Sequence, residues 1–180
     1  MKASVLPAVA ALACTLAACS PPEPFTVVTS DAQDSRFSRA QMFNSYGCTG
    51  QNVSPNVAWE GAPSSAQSFA VTIFDPDAKD HGWYHWLIVD IPASEHQLAT
   101  GTGNSASLPL GMKQTKNDFG VAGYGGPCPP PGEDHHYVIT VYALKVTTLG
   151  MPMMSAPADV AAKLKANEIA EAKVTVKAKR

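Results

Sequence analysis

The chain has 180 residues, 45% of them hydrophobic and 16% charged, with a formal net charge of −2. That length and apolar content suit one domain with a sizeable core and are too little for two. A weakly acidic chain has no general attraction for nucleic acid or anionic membranes, so nucleic acid is excluded as a partner and any bound anion must be held by a local site.

Lys2 precedes an apolar run, Val5 to Leu12, and then Leu16-Ala17-Ala18-Cys19. A basic residue, a short apolar stretch and small residues before a break predict a secretory signal over residues 1–18. Cys19 stands where a bacterial lipoprotein signal places its acylated cysteine; simple secretion with cleavage near Ala18 is the alternative. The run is too short to span a bilayer as a helix, so membrane contact is expected through lipid on Cys19. Residues 19–24, ending in Ser20-Pro21-Pro22-Glu23-Pro24, read as a stiff tether, and residues 25–180 as a single domain. Ser20 after the cysteine suggests an outer-membrane destination, by resemblance to Gram-negative sorting signals. Beyond Cys14 and Cys19, only Cys48 and Cys128 remain. In an oxidising compartment a pair is expected, with two buried free thiols as the alternative.

In chain order, Phe25 to Thr29 predicts a first strand. Ser68 to Asp75, Tyr84 to Pro92 and His136 to Leu144 are apolar and rich in β-branched and aromatic types, as core strands are. Between Ala93 and Asp134 the character changes: eight of the thirteen glycines fall there, with no periodic segment. A connection that long inside a domain is expected to be functional. Ser155 to Asn167 predicts a helix with an Asn suited to a left-handed cap and Val160, Leu164 and Ala161 on its apolar face. Ala170 to Lys177 alternates, as a strand with one wet face does. The expected fold class is mainly β, with one or two short helices.

The chemistry concentrates in two places. Asp75 and Asp77 flank Pro76, and in extended backbone positions i and i+2 face one side. A hairpin would return His85 beside them, where a carboxylate would hold the imidazole charged. The stretch Gly123 to His136 carries consecutive glycines whose N–H groups could cradle an anion, prolines that stiffen a wall, and His135 at a strand start. Each feature alone reads as a turn, a loop or a structural histidine; their combination points to a site. A hydrolase using the Asp/His cluster is a second reading, although no Gly-x-Ser-x-Gly or His-Glu-x-x-His motif is present. A divalent-metal site of Asp75, Asp77, His81 and His85 is a third. No cofactor is implied.

Three segments, Asn52 to Ala78, Tyr84 to Ala93 and Asn117 to Leu144, together resemble the phosphatidylethanolamine-binding protein family, and more narrowly its bacterial Raf-kinase-inhibitor-like branch. The resemblance implies two packed antiparallel sheets with a small-anion or phospholipid-headgroup pocket at one end, possible inhibition of a protein partner, and no enzymatic activity. It places Asp75, Asp77, His85, Gly125, Gly126, Pro127 and His135 at the ligand, with Tyr124 lining the pocket. It also puts Cys48 and Cys128 near the pocket mouth, where they are expected to be joined. His85, held by Asp75 or Asp77, is expected to be the main cationic contact. Three residues depart from the family pattern: Lys79 for a proline, His136 for an arginine, and Asn56 for a proline.

Overall fold

A computed structural model describes residues 23–180; the predicted signal, Cys19 and most of the tether lie outside the described residues. The strands are β1 (Thr26–Val28), β2 (Ala32–Gln33), β3 (Arg36–Phe37), β4 (Val57–Glu60), β5 (Ser68–Asp75), β6 (Trp83–Pro92), β7 (Gln97–Leu98), β8 (Lys113–Gln114), β9 (Asp134–Leu144) and β10 (Glu168–Lys179), with one α-helix, α1 (Pro157–Asn167). They form a seven-stranded sheet in the order β2-β3-β10-β9-β5-β6-β8 and a three-stranded sheet in the order β1-β4-β7. The pairings are antiparallel except for the short β3–β10 contact.

Strands β5 and β6 read as almost unbroken apolar runs because both of their faces are buried. On one face the small sheet packs Val27, Val57, Trp59 and Leu98 against Phe69, Val71, Ile73 and Ile91. Trp59 and Phe69 meet there with ring centroids 5.3 Å apart. On the other face Val160 and Leu164 of α1 join Leu149 in covering Ala70, Leu87, Val89 and Leu144. Strand β10, between β9 and the short β3, instead alternates, with Ala172, Val176 and Ala178 buried and Lys173, Thr175, Lys177 and Lys179 exposed, which matches one wet face.

The helix differs from expectation at both ends. Ser155 is not its cap: its hydroxyl donates to Pro152 O at 2.8 Å, while Ala156 precedes the first turn and Pro157 opens it. Proline suits that position because its missing N–H would have no intrahelical partner. Asn167 does not form a left-handed cap. Glu168 is extended (φ −68°, ψ 145°) and β10 begins at once; a left-handed residue would have turned the chain away from the sheet.

The long segment from Ala93 to Glu133 is ordered by side chains. Ser54 Oγ accepts from Gly103 N–H at 2.8 Å, and Asn104 Oδ1 accepts from Ser54 N–H at 2.9 Å. The buried Asn117 donates to Gly123 O at 3.0 Å and accepts from Val121 N–H at 3.3 Å. Pinned in this way, the segment closes the β6 edge through β8 and carries its remaining loops to the end of the sheet where β5 terminates.

Candidate functional site

Sheet register decides which charged groups meet. Asp75, the last residue of β5, lies opposite Trp83 on β6. On the other side β5 pairs with β9 up to Phe74 opposite Val138, which brings Tyr137 and His135 alongside Asp75. Ile73 is opposite Trp86 but Phe74 is opposite Tyr84, so His85 is the extra residue of a β-bulge. Such bulges re-aim a side chain, and here the imidazole is turned to a buried place beneath the cavity.

Asp75 is 3% exposed and both oxygens of its carboxylate are engaged. Oδ1 accepts from the N–H groups of Asp77 at 2.8 Å and Ala78 at 3.1 Å, and Oδ2 faces His135 Nδ1 at 2.8 Å. His135 Nε2 faces Glu133 Oε2 at 3.0 Å. Carboxylates only accept, so an imidazole between two of them donates from both nitrogens and is charged. Burial works against that charge, but the hydrogen bonds the imidazole donates to Glu133 and Asp75 outweigh burial and raise the His135 pKa.

His85 behaves oppositely. Its Nδ1 lies 2.6 Å from Gly125 O; a carbonyl only accepts, so Nδ1 carries the proton and Nε2 presents a lone pair. Burial lowers its pKa, and the Gly125 hydrogen bond and the Asp75 charge offset this only in part. This corrects the expectation for the residue: neither Asp75 nor Asp77 holds it, and it is a neutral acceptor rather than the cationic contact. Asp77 is taken by His136, whose N–H and Nδ1 both lie 2.7 Å from Asp77 Oδ2. The backbone N–H is the main cause of the lowered Asp77 pKa.

These groups line a cavity of about 480 Å³. Its carboxylates are Asp75, Asp77, Asp118 and Glu133, its cations His135 and Lys79, and its aromatic walls Tyr46, Trp83, Phe119 and Tyr137. Phe119 stacks on Phe43 at 4.5 Å and meets Trp83 edge-on at 5.4 Å; Tyr46, 73% exposed, stands at the mouth. Two buried polar atoms of the lining, Trp83 Nε1 and the Tyr137 hydroxyl oxygen, have no hydrogen-bond partner among the described residues. Burial and the nearby Asp75 charge push the Tyr137 pKa far up, so the hydroxyl stays protonated and able to donate.

The structure brings Asp75, Asp77, His85 and His135 to one cavity and leaves Tyr124, Gly125, Gly126 and Pro127 behind its wall. Tyr124 is buried, its hydroxyl donating to Gln41 O at 2.9 Å. The glycine N–H groups are not free for an anion: Gly125 donates to His85 O at 2.9 Å and Gly126 to Asn52 Oδ1 at 2.7 Å. These glycines serve close approach instead, because a Cβ on Gly125 would strike the Phe119 ring and one on Gly126 the Gln41–Phe43 backbone. Pro127 accepts from Phe43 N–H at 2.9 Å, and the wall itself is Cys128, Pro129 and Pro130. Cys48 and Cys128 are joined in a disulfide with Cα atoms 5.9 Å apart, clipping the Tyr46 segment to that wall.

A two-sheet β fold with an open, aromatic-walled pocket at the sheet end fits a ligand-binding protein. The profile of the phosphatidylethanolamine-binding protein family matches residues 33–179, and the chain belongs to that family. It is 44% identical over 140 residues to the Escherichia coli protein YbcL, covering 76% of each chain. To E. coli YbhB it is 36% identical over 152 residues, 83% of this chain and 96% of YbhB. The crystal structure of YbcL superposes with a TM-score of 0.83 at 40% identity, covering 87% of this chain and 98% of that one. A Mycobacterium tuberculosis protein whose name classes it as a lipoprotein, LppC, is 38% identical over 104 residues, 56% of this chain and 48% of its own.

Proposed function

We propose that the pocket binds the zwitterionic headgroup of a phospholipid of the ethanolamine type, rather than a bare anion. The observation that carries this is the mixture of groups in one cavity. Four carboxylates, Asp75, Asp77, Asp118 and Glu133, would repel a lone anion, and with the aromatic walls they suit an ammonium. The unpartnered Trp83 N–H and Tyr137 O–H, with Lys79 at the rim, suit phosphoryl oxygens. Neutral His85 can accept a proton-bearing group of the ligand through Nε2.

A binding role also fits better than the hydrolase or metal readings. Asp75 is committed to the Asp77 and Ala78 N–H groups and to the His135 imidazole, a structural use that leaves it poorly placed to activate water. His81 is on the exposed turn, and no group of three or more metal-type side chains is assembled among the described residues.

Tyr137→Phe separates binding from stability. Its hydroxyl lies near the Asp75 carboxylate but makes no well-formed hydrogen bond among the described residues, so the unliganded variant should melt close to the wild-type temperature. Affinity for phosphorylethanolamine should fall roughly tenfold, the value of one lost hydrogen bond in a buried site. Calorimetric titration of both proteins checks this, and equal affinities would remove Tyr137 from the ligand.

The lipoprotein-type signal, with support from the name of LppC, favours a chain anchored in a bacterial envelope by lipid on Cys19 and facing the periplasm from the outer membrane. No described helix is long and apolar enough to cross a membrane. A Cys19→Ala chain should leave the membrane fraction; one that still partitions wholly with membranes would contradict the anchor.

A further inference from the structure

Behind the disulfide lies a second cleft, of about 320 Å³, lined by Phe37, Ser38, Arg39, Met42, Gly47–Gly50 and Lys179–Arg180. The disulfide is the partition between the two spaces: Cys48 lines the cleft and Cys128 lines the pocket. Their charges are opposite in character. The pocket holds four carboxylate side chains, whereas the cleft is lined by three cationic side chains and no acidic one. The sequence contains only three arginines. Arg36 is consumed by a two-pronged contact to Asp134, at 3.1 and 2.5 Å, and the other two are in this cleft.

Both of those guanidinia are fixed by backbone. Arg39 Nε donates to Thr49 O at 2.9 Å, and Arg180 Nη2 donates to Gly47 O at 2.9 Å. Arg180 lies so closely over Gly47 that a Cβ there would meet its Nη2. The two anchors are carbonyls of one short turn, and both arginines line the one cleft. Neither forms an ion pair with a described carboxylate, and the terminal nitrogens of Arg39 bond no described residue. The main-chain oxygen of Arg180 is turned to Gly132, accepting its N–H at 2.9 Å. Lys179 stands across the strand pair from Asp134, the acid that Arg36 already neutralises.

We infer that this cleft is a second ligand site, separate from the headgroup pocket, which takes a phosphate-type dianion. Two backbone-anchored guanidinium forks and an ammonium around a small cleft match the multiple acceptors of a tetrahedral oxyanion. Anchoring means that little side-chain freedom is lost on binding. The group could arrive as free phosphate or as the phosphomonoester of a lipid, and the chemistry recognised is the same.

The test is resonance-by-resonance titration of the isotopically labelled full chain with inorganic phosphate and, separately, with dihexanoyl phosphatidic acid. The amides of Gly47, Thr49 and Gly50 report the cleft, and the Trp83 indole N–H reports the pocket. Saturable shifts are expected at the cleft amides. Arg39→Gln with Arg180→Gln should weaken them at least about tenfold while the Trp83 resonance keeps its wild-type response to phosphorylethanolamine. Lys179→Gln, which leaves both backbone anchors in place, should weaken them by a smaller factor. Tighter binding of phosphatidic acid than of phosphate identifies a lipid source, and equal binding a free phosphate; either supports the site. No saturable shift at the cleft in the wild-type protein, or shifts undiminished in the arginine variant, would overturn it whatever the pocket binds.

Discussion

Replacing Cys48 and Cys128 with serine should lower the stability of the protein by about 4 kcal/mol. The disulfide closes a span of 80 residues, and in the chain-entropy treatment a loop of that size restricts the unfolded chain by about that amount. At roughly 2–4 °C per kcal/mol for a domain of this length, the melting temperature should drop by roughly 8–16 °C. The effect should reach the pocket as well, because the bond ties the segment bearing Tyr46 to the Cys128–Pro130 wall. Without it, only contacts such as Phe43 N–H to Pro127 O, at 2.9 Å, hold that seam. Denaturant unfolding of the oxidised protein and the double variant measures the difference; a change below 1 kcal/mol would show that the unfolded chain is already restricted by other means.

Asp75→Ala should cost about 3 kcal/mol, toward the low end for breaking a buried charged pair. The substitution strands the N–H groups of Asp77 and Ala78 and one face of His135. Glu133 still pairs with that imidazole, which keeps the loss from being larger. The variant should also change how stability depends on pH. His135 has its pKa raised above 6.5 in the folded protein, where Glu133 and Asp75 overcome the opposing effect of burial. Its contribution is therefore complete below about pH 6.5 and is lost as pH rises through the raised value. His85, with its pKa lowered mainly by burial, has the reverse sign: the protein loses stability as pH falls below 6.5, where the unfolded imidazole gains a proton first. Asp75→Ala should weaken the His135 branch and flatten the decline above pH 6.5. Urea midpoints on either side of that pH decide it, and an unchanged alkaline slope would show that Asp75 does not hold the His135 charge.

The core strands were legible because burial on both faces left unmistakable runs. Ser68–Asp75 is a strand over its whole expected length, and the other two core strands were short by one or two residues at their starts. The membership of Asp75, Asp77, His85 and His135 in one cavity was legible from their positions at strand ends. Their pairing was not. Local sequence favours His85 as the partner of Asp75, ten residues away, yet the cross-sheet register delivers His135, sixty residues away. The bulge that buries His85 depends on an extra residue relative to a neighbouring strand, which composition cannot reveal. Gly125 and Gly126 looked like free donors because nothing in their own segment shows that His85 O and Asn52 Oδ1 use their N–H groups. Tyr137 did carry a usable signal, since it shares a strand face with His135 two positions earlier. Tyr46, Phe119 and Glu133 came from irregular loops, where no periodicity marks a lining residue.

On the headgroup reading, one pocket binds both ends of a zwitterion. The most direct measurement is the response of the Trp83 indole N–H resonance to phosphorylethanolamine, inorganic phosphate and ethanolamine, titrated separately into the wild-type protein at constant pH and ionic strength. This resonance belongs to the pocket lining. Phosphorylethanolamine should saturate it with an affinity at least about tenfold above that of either half, because each half alone leaves the other half's partners unsatisfied. Equal saturation by inorganic phosphate would make the site a plain anion site, and the absence of any saturable response to phosphorylethanolamine would contradict the headgroup reading outright.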